Sequence, residues 1–120
     1  IVTEIFFSIQ GESTRAGRPC VFVRFTGCDL RCRWCDTAHA FQGGDRMDRT
    51  EILEAVARHP ARYVTLTGGE PLLQKELPAL CADLLARGPI DDIQRGAFFV
   101  LVFFNTQLFT TAPWVENVTR

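Results

Sequence analysis

The sequence lacks an excess of charge: across 120 residues, 13 Lys and Arg stand against 14 Asp and Glu, a net charge of -1. With no basic patch and no block of like charge, nothing points to nucleic acid, an anionic membrane surface or a charged disordered tail. A long apolar run is missing too. The most apolar stretch, Ala97 to Phe104, is far short of the roughly 20 residues that a membrane-spanning helix needs. There is no internal repeat, no low-complexity segment, no starting Met and no basic leader before Ile1. The expectation is a cytoplasmic chain without a signal peptide, reading as a piece of a longer protein. Nor is there an even set of cysteines. The count is 5, whereas a secreted disulfide scaffold wants pairs. In a reducing compartment, crowded thiols call for a metal or redox explanation instead.

What is present suits one domain with one core, since 47% of the residues are apolar. TEIFFSI (3–9) is β-branched and aromatic and reads as a strand, followed by the turn-rich QGESTRAGRP. CVFVRFTG (20–27) reads as a second strand. Its alternation puts Val21, Val23 and Phe25 on a core face and Cys20, Phe22, Arg24 and Thr26 on the other. DRTEILEAVARH predicts a helix with Asp48 as N-cap, Glu51 three residues on, and Ile52, Leu53 and Val56 as its buried stripe. RYVTLT (62–67) reads as a third strand, broken by GGEP. Leu73, Leu77, Leu80 and Leu84 predict a second amphipathic helix ending at Gly88. Strands alternating with helices predict an α/β fold with parallel βαβ units, whose ligand sites lie at the carboxyl ends of the strands. The cysteine loop and GGEP both begin at such an end. From Pro89 the text changes character, with one strand expected over Ala97 to Phe104.

Three cysteines fall within GCDLRCRWCDT (27–37), as CxxxCxxC: Cys28, Cys32 and Cys35. Thiolates select soft metals, and two readings stay open on the residues alone. One is a closed zinc site with His39 as fourth ligand. The other is a 4Fe–4S cluster held by three cysteines, leaving one iron open to a small molecule. Cys20 and Cys81 read as small core residues, Arg31 and Arg33 as solvated, and His39 and His59 otherwise as surface or capping residues.

CxxxCxxC with the aromatic Trp34 before its last cysteine, paired with Gly68-Gly69-Glu70-Pro71, resembles the radical S-adenosylmethionine (SAM) superfamily. The resemblance implies a 4Fe–4S cluster whose open iron binds SAM and cleaves it to a 5′-deoxyadenosyl radical. SIQGES, VFVRFTGCDLRCRWCDT and TGGEPLLQ, in that order, resemble the 7-carboxy-7-deazaguanine synthases, lyases of the queuosine and deazapurine pathways. The resemblance runs over about residues 3–88. It implies conversion of 6-carboxy-5,6,7,8-tetrahydropterin to 7-carboxy-7-deazaguanine with loss of ammonia, assisted by Mg2+. By position it puts Cys28, Cys32 and Cys35 on the cluster. Trp34, Cys35, Asp36, Gly68, Gly69 and Glu70 go to SAM, Thr37 to magnesium, and Ile9, Gln10, Gly11, Glu12, Arg24 and Thr67 to the substrate. A flavodoxin-like or ferredoxin-like electron donor and a homodimer are implied as well. Other superfamily members, such as the activases of glycyl-radical enzymes or ribonucleotide reductases, share CxxxCxxC but need not carry QGE. A non-catalytic metal-binding fragment is a third reading.

The implied fold is a partial (β/α) barrel, truncated here to about its first half. Residues 1–88 would be that half-barrel and 89–120 a divergent tail. In place of the family's fourth-strand ETSG-like segment the sequence reads VLVFFNTQLF.

Overall fold

Alternating β-branched and aromatic residues give two strands that pair as a hairpin: β1 (Val2–Ile9) and β2 (Pro19–Phe25). They run antiparallel, in register from Ile9 opposite Pro19 to Glu4 opposite Arg24, with a bulge between Val2 and Glu4. The link over residues 10–18 is too short for a parallel crossover, which takes about a dozen residues or more. In this computed structural model residues 1–12, 14–86, 99–103, 107–109 and 118–119 are described. The expected helix end at Gly88 and the change of text at Pro89 lie outside them.

From β2 the chain crosses through the cysteine loop, a 3-10 turn (Ala38–Phe41) and helix α1 (Arg49–Ala57) to β3 (Tyr63–Gly68), parallel to β2. A second crossover, through a 3-10 turn (Pro71–Leu73) and helix α2 (Leu77–Ala86), leads to β4 (Phe99–Phe103), parallel to β3. β5 (Gln107–Phe109) and β6 (Val118–Thr119) add antiparallel, giving a mixed sheet in the order β1-β2-β3-β4-β5-β6. The fold is α/β. The pairs β2–β3 and β3–β4 follow the parallel βαβ pattern, and the pairs on either side of them are antiparallel.

The helices lie on one side of the sheet. Val21, Val23, Phe25, Val64 and Leu66 pack there against Ile52, Leu53 and Val56 of α1 and Leu77, Leu80 and Leu84 of α2. α1 begins as expected. The Asp48 carboxylate accepts from the Glu51 amide (2.9 Å), and the Glu51 carboxylate accepts from the Asp48 amide (2.7 Å). α2 starts later than its leucine spacing predicts. Leu73 stays outside it in the 3-10 turn, 47% exposed. Glu70, with Pro71 behind it, starts that separate turn by accepting from the Leu72 amide (3.1 Å).

Candidate active-site cleft

The sheet face away from the helices is built by simple alternation from residues of three strands. Phe22 lies opposite Thr65 and Arg24 opposite Thr67, while Phe6 of β1 stacks on Phe22 with centroids 5.0 Å apart. This face is the floor of an open cleft of about 640 Å³. At the carboxyl ends of β2 and β3 its wall is the cysteine loop and the Gly68–Gly69 backbone. At the opposite end it is the Gln10–Glu12 turn. The cleft therefore runs along the strands rather than sitting only at their carboxyl ends.

The cysteine loop is closed at its base, where the Gly27 amide donates to the Ala40 carbonyl (2.8 Å). Within it the Cys35 amide donates to the Cys32 carbonyl (3.2 Å). Arg31 is exposed, as expected, and also holds the loop together. Its guanidinium donates to the Cys28 carbonyl (2.8 Å) and the Leu30 carbonyl (2.6 Å), and lies 4.3 Å from the Phe41 ring centre. The GGEP turn is docked on the same loop. Gly69 donates to the Phe25 carbonyl (3.1 Å) and Glu70 to the Gly27 carbonyl (2.8 Å). A side chain at Gly69 would collide with the Gly27 carbonyl and come within 2.8 Å of the Cys28 Cβ. Gly68 has φ +150, a region open to glycine. These two glycines let the third strand end against the start of the cysteine loop.

Most of the expected site residues meet here. Cys28, Cys32, Trp34, Cys35, Asp36 and Thr37 line the cleft from the loop, Arg24, Thr67, Gly68 and Gly69 from the strand ends, and Gln10, Gly11 and Glu12 from the far turn. Two do not. Ile9 shares the helix-side face of β1 with Phe7 and is 63% exposed. Glu70 is buried and spends its carboxylate on the Leu72 amide. Trp34 is 83% exposed at the rim. Sequence reasoning missed Thr65, Phe41, Leu30 and, as lining, Phe22, while His39, raised only as a zinc ligand, lines the cleft too. Period 2 from Thr67 signals Thr65; nothing local signals Phe41.

Arg24 donates through Nε to Glu4 Oε1 (2.7 Å), and the same oxygen faces His39 Nε2 at 3.3 Å. That edge of the guanidinium is held by the protein, and the terminal Nη edge is the one left for a ligand. The Thr37 hydroxyl donates to Asp36 Oδ1 (2.5 Å), which directs its proton away from its lone pairs. At the buried end, Gln10 Nε2 donates to Thr65 Oγ1 (2.9 Å), which also meets the Cys20 sulfur (3.0 Å). Burial pushes the Cys20 thiol up to about 11, against a smaller lowering by Thr65.

All five cysteines are free. Among the described residues no three His, Cys, Asp or Glu side chains stand together as a ready metal site. The three loop thiols thus share one cleft wall without being drawn together. Three soft donors on one short loop closed at its base match the chemistry of an iron–sulfur cluster, and metal binding itself commonly gathers such ligands.

A sequence model of the Radical SAM superfamily matches residues 22–113. The chain belongs to the radical SAM superfamily. Membership implies a 4Fe–4S cluster and SAM as cofactors. Among curated proteins, the chain is similar to 7-carboxy-7-deazaguanine synthase of Koribacter versatilis, 49% identical over 89 residues, covering 72% of this chain and 39% of that protein. It is also similar to the synthase of Chlorobaculum tepidum, 46% identical over 97 residues, covering 81% of this chain and 44% of that protein. Among solved structures it resembles the crystal structure of QueE from Escherichia coli, with a TM-score of 0.57 and 28% identity over 68% of this chain and 48% of the other. This radical SAM chain thus spans less than half the length of these relatives. Among the described residues, no helix is long and apolar enough to cross a membrane.

Proposed function

We propose that this chain carries the cluster and substrate-binding half of a 7-carboxy-7-deazaguanine synthase, a cytoplasmic lyase acting on 6-carboxy-5,6,7,8-tetrahydropterin. One observation carries the reading. The QGE turn at one end of the strands shares a single cleft with Arg24, the three cysteines and the Gly68–Gly69 backbone toward the other end. A cluster loop alone would serve any radical SAM enzyme. A carboxylate-binding arginine with a polar turn at the far end suits a flat, polar, carboxylated heterocycle.

In this reading Cys28, Cys32 and Cys35 hold the cluster, which when bound supplies one-electron reduction of SAM to a hydrogen-abstracting radical. The Gly68–Gly69 backbone, beside the cluster loop, gives SAM a surface free of side chains. Arg24 offers its Nη edge to the substrate carboxylate as two parallel charge-assisted hydrogen bonds, while Glu4 keeps the guanidinium from rotating. Asp36 and Thr37 present adjacent hard oxygens, suited to Mg2+ that retains waters and takes substrate oxygen. Glu12 and Gly11 face the pterin's donor and acceptor edge. Ile9 enters only through its backbone, since its side chain lies on the other face. An electron donor of flavodoxin or ferredoxin type, a homodimer and closure of the half-barrel by further strands complete the proposal.

The test is anaerobic reconstitution with iron and sulfide, followed by reductant, SAM and the carboxy-tetrahydropterin. The expected products are 5′-deoxyadenosine and 7-carboxy-7-deazaguanine. Deoxyadenosine without the deazapurine would point to another radical SAM activity. A colourless protein holding one zinc ion would overturn the cluster assignment.

A further inference from the structure

The turn that caps the far end of the cleft is short and exposed at Gly11 and Glu12, yet its first residue, Gln10, is only 2% exposed. The Gln10 backbone closes the hairpin link, donating to the Arg18 carbonyl (2.9 Å) and accepting from the Gly17 amide (2.7 Å). Its side chain does something different. Oε1 accepts from the Glu12 backbone amide (3.1 Å). Because that partner can only donate, it fixes which end of the Gln10 amide is oxygen. Nε2 therefore points the other way and donates to Thr65 Oγ1 (2.9 Å). Below Thr65, the Cys20 thiol donates to the Val21 carbonyl (3.5 Å). Its sulfur also meets the Thr65 hydroxyl at 3.0 Å. The contacts run without a break from Gln10 to Thr65 to Cys20, and the Gln10 amide is the donor to Thr65. Cys20 and Thr65 are 0% and 1% exposed, so water does not compete along this chain.

We propose that Gln10 is a positioning residue, not a reader of substrate, and that Thr65 and Cys20 orient its amide so that it holds the Gly11–Glu12 turn against the cleft. Both polar atoms of the Gln10 side chain are engaged inside the protein, and the turn it grips presents Glu12 instead. Burial keeps the Cys20 thiol protonated at neutral pH, so the sulfur beneath Thr65 stays uncharged. A buried amide engaged at both ends is rigid, and a rigid turn selects ligand shape without touching the ligand itself. The proposal deepens the pterin reading and rests on it only for the kinetic half of the test.

Backbone hydrogen exchange at the Glu12 amide in the full chain, without substrate or SAM, reads the positioning role directly. Losing the Gln10 contact should speed that exchange roughly 5- to 10-fold, the scale of one hydrogen bond. Gln10→Ala and Thr65→Val should both show it, and Thr65→Ser, which keeps the hydroxyl, should return it to the native rate. In steady-state assays Gln10→Ala and Thr65→Val should each raise KM for the carboxy-tetrahydropterin. The double variant should be no worse than Gln10→Ala alone, because both break one linkage. Unchanged Glu12 exchange in Thr65→Val, or additive effects on KM, would overturn the proposal. Should Thr65→Val not fold, Cys20→Ala removes only the sulfur beneath Thr65. Faster Glu12 exchange in that variant supports the chain, and a native rate refutes it. If the native protein makes no deazaguanine, the pterin reading fails while the exchange experiment still decides the role of Gln10.

Discussion

Arg24 is a residue whose side chain is bound on one edge and open on the other. Strand alternation foretells that it leaves the core face, because Val21, Val23 and Phe25 take that face. Its partner is a different matter. Glu4 sits directly across the hairpin from Arg24, and that pairing depends on the register and on the bulge near Val2. Neither can be read from β1 alone. Replacing Arg24 with Lys removes the planar fork and leaves a single point charge. We expect KM for the carboxylated substrate to rise roughly 10- to 100-fold, the scale of a lost charged hydrogen bond, with iron content unchanged. Steady-state kinetics and iron analysis check this. Loss of iron would make Arg24 a structural residue instead.

Elements show a sharper contrast between local and long-range causes. The first helix was legible to the residue at its start, because a capping box is written within four consecutive positions, Asp48 to Glu51. The second helix was not. Leu73 has the right spacing, but Glu70 and Pro71 fold a separate turn that the leucine pattern cannot register. GGEP reads locally as a turn; that it docks on the cysteine loop is tertiary. Gly69→Ala would drive a methyl group into the Gly27 carbonyl and toward Cys28. We expect it to destabilise the fold by roughly 1–3 kcal/mol and to lower iron bound per chain after reconstitution. Urea denaturation and iron analysis measure the two effects. Full iron loading at native stability would show that the two loops are not coupled.

On the scale of the whole molecule, the sheet has a helix-covered face and a cleft face, with a buried thiol near the cleft and a half-buried one near the helices. Cys20 lies under the cleft floor and Cys81 packs beside the core on α2. Burial raises both from the ordinary 9.0 to about 11. In the unfolded chain these thiols ionise first as pH rises, so the unfolded state releases protons that the folded state keeps. Their contribution is intact below pH 9 and is lost as pH climbs from about 9 toward 11, by up to roughly 1.4 kcal/mol per pH unit for each thiol. Urea midpoints measured under reducing conditions should fall across that window. The fall should be shallower in Cys20→Ser/Cys81→Ala. An equal slope in the variant would assign the effect to other groups.

The sequence by itself determined the elements and the chemistry that is contiguous along the chain. Alternation made the strands, a capping box started α1, and CxxxCxxC named the cluster loop, because each depends on neighbours a few residues apart. Tertiary structure alone decided which of those residues meet. The short hairpin link turned β1 antiparallel and brought Gln10 to the far end of the cleft. Strand register set Glu4 against Arg24, and pleating turned Ile9 away. Arg31 and Phe41 became a brace for the cysteine loop only once that loop closed at Gly27 and Ala40. Those outcomes depend on pairing between distant segments, and no local pattern of residue types encodes them.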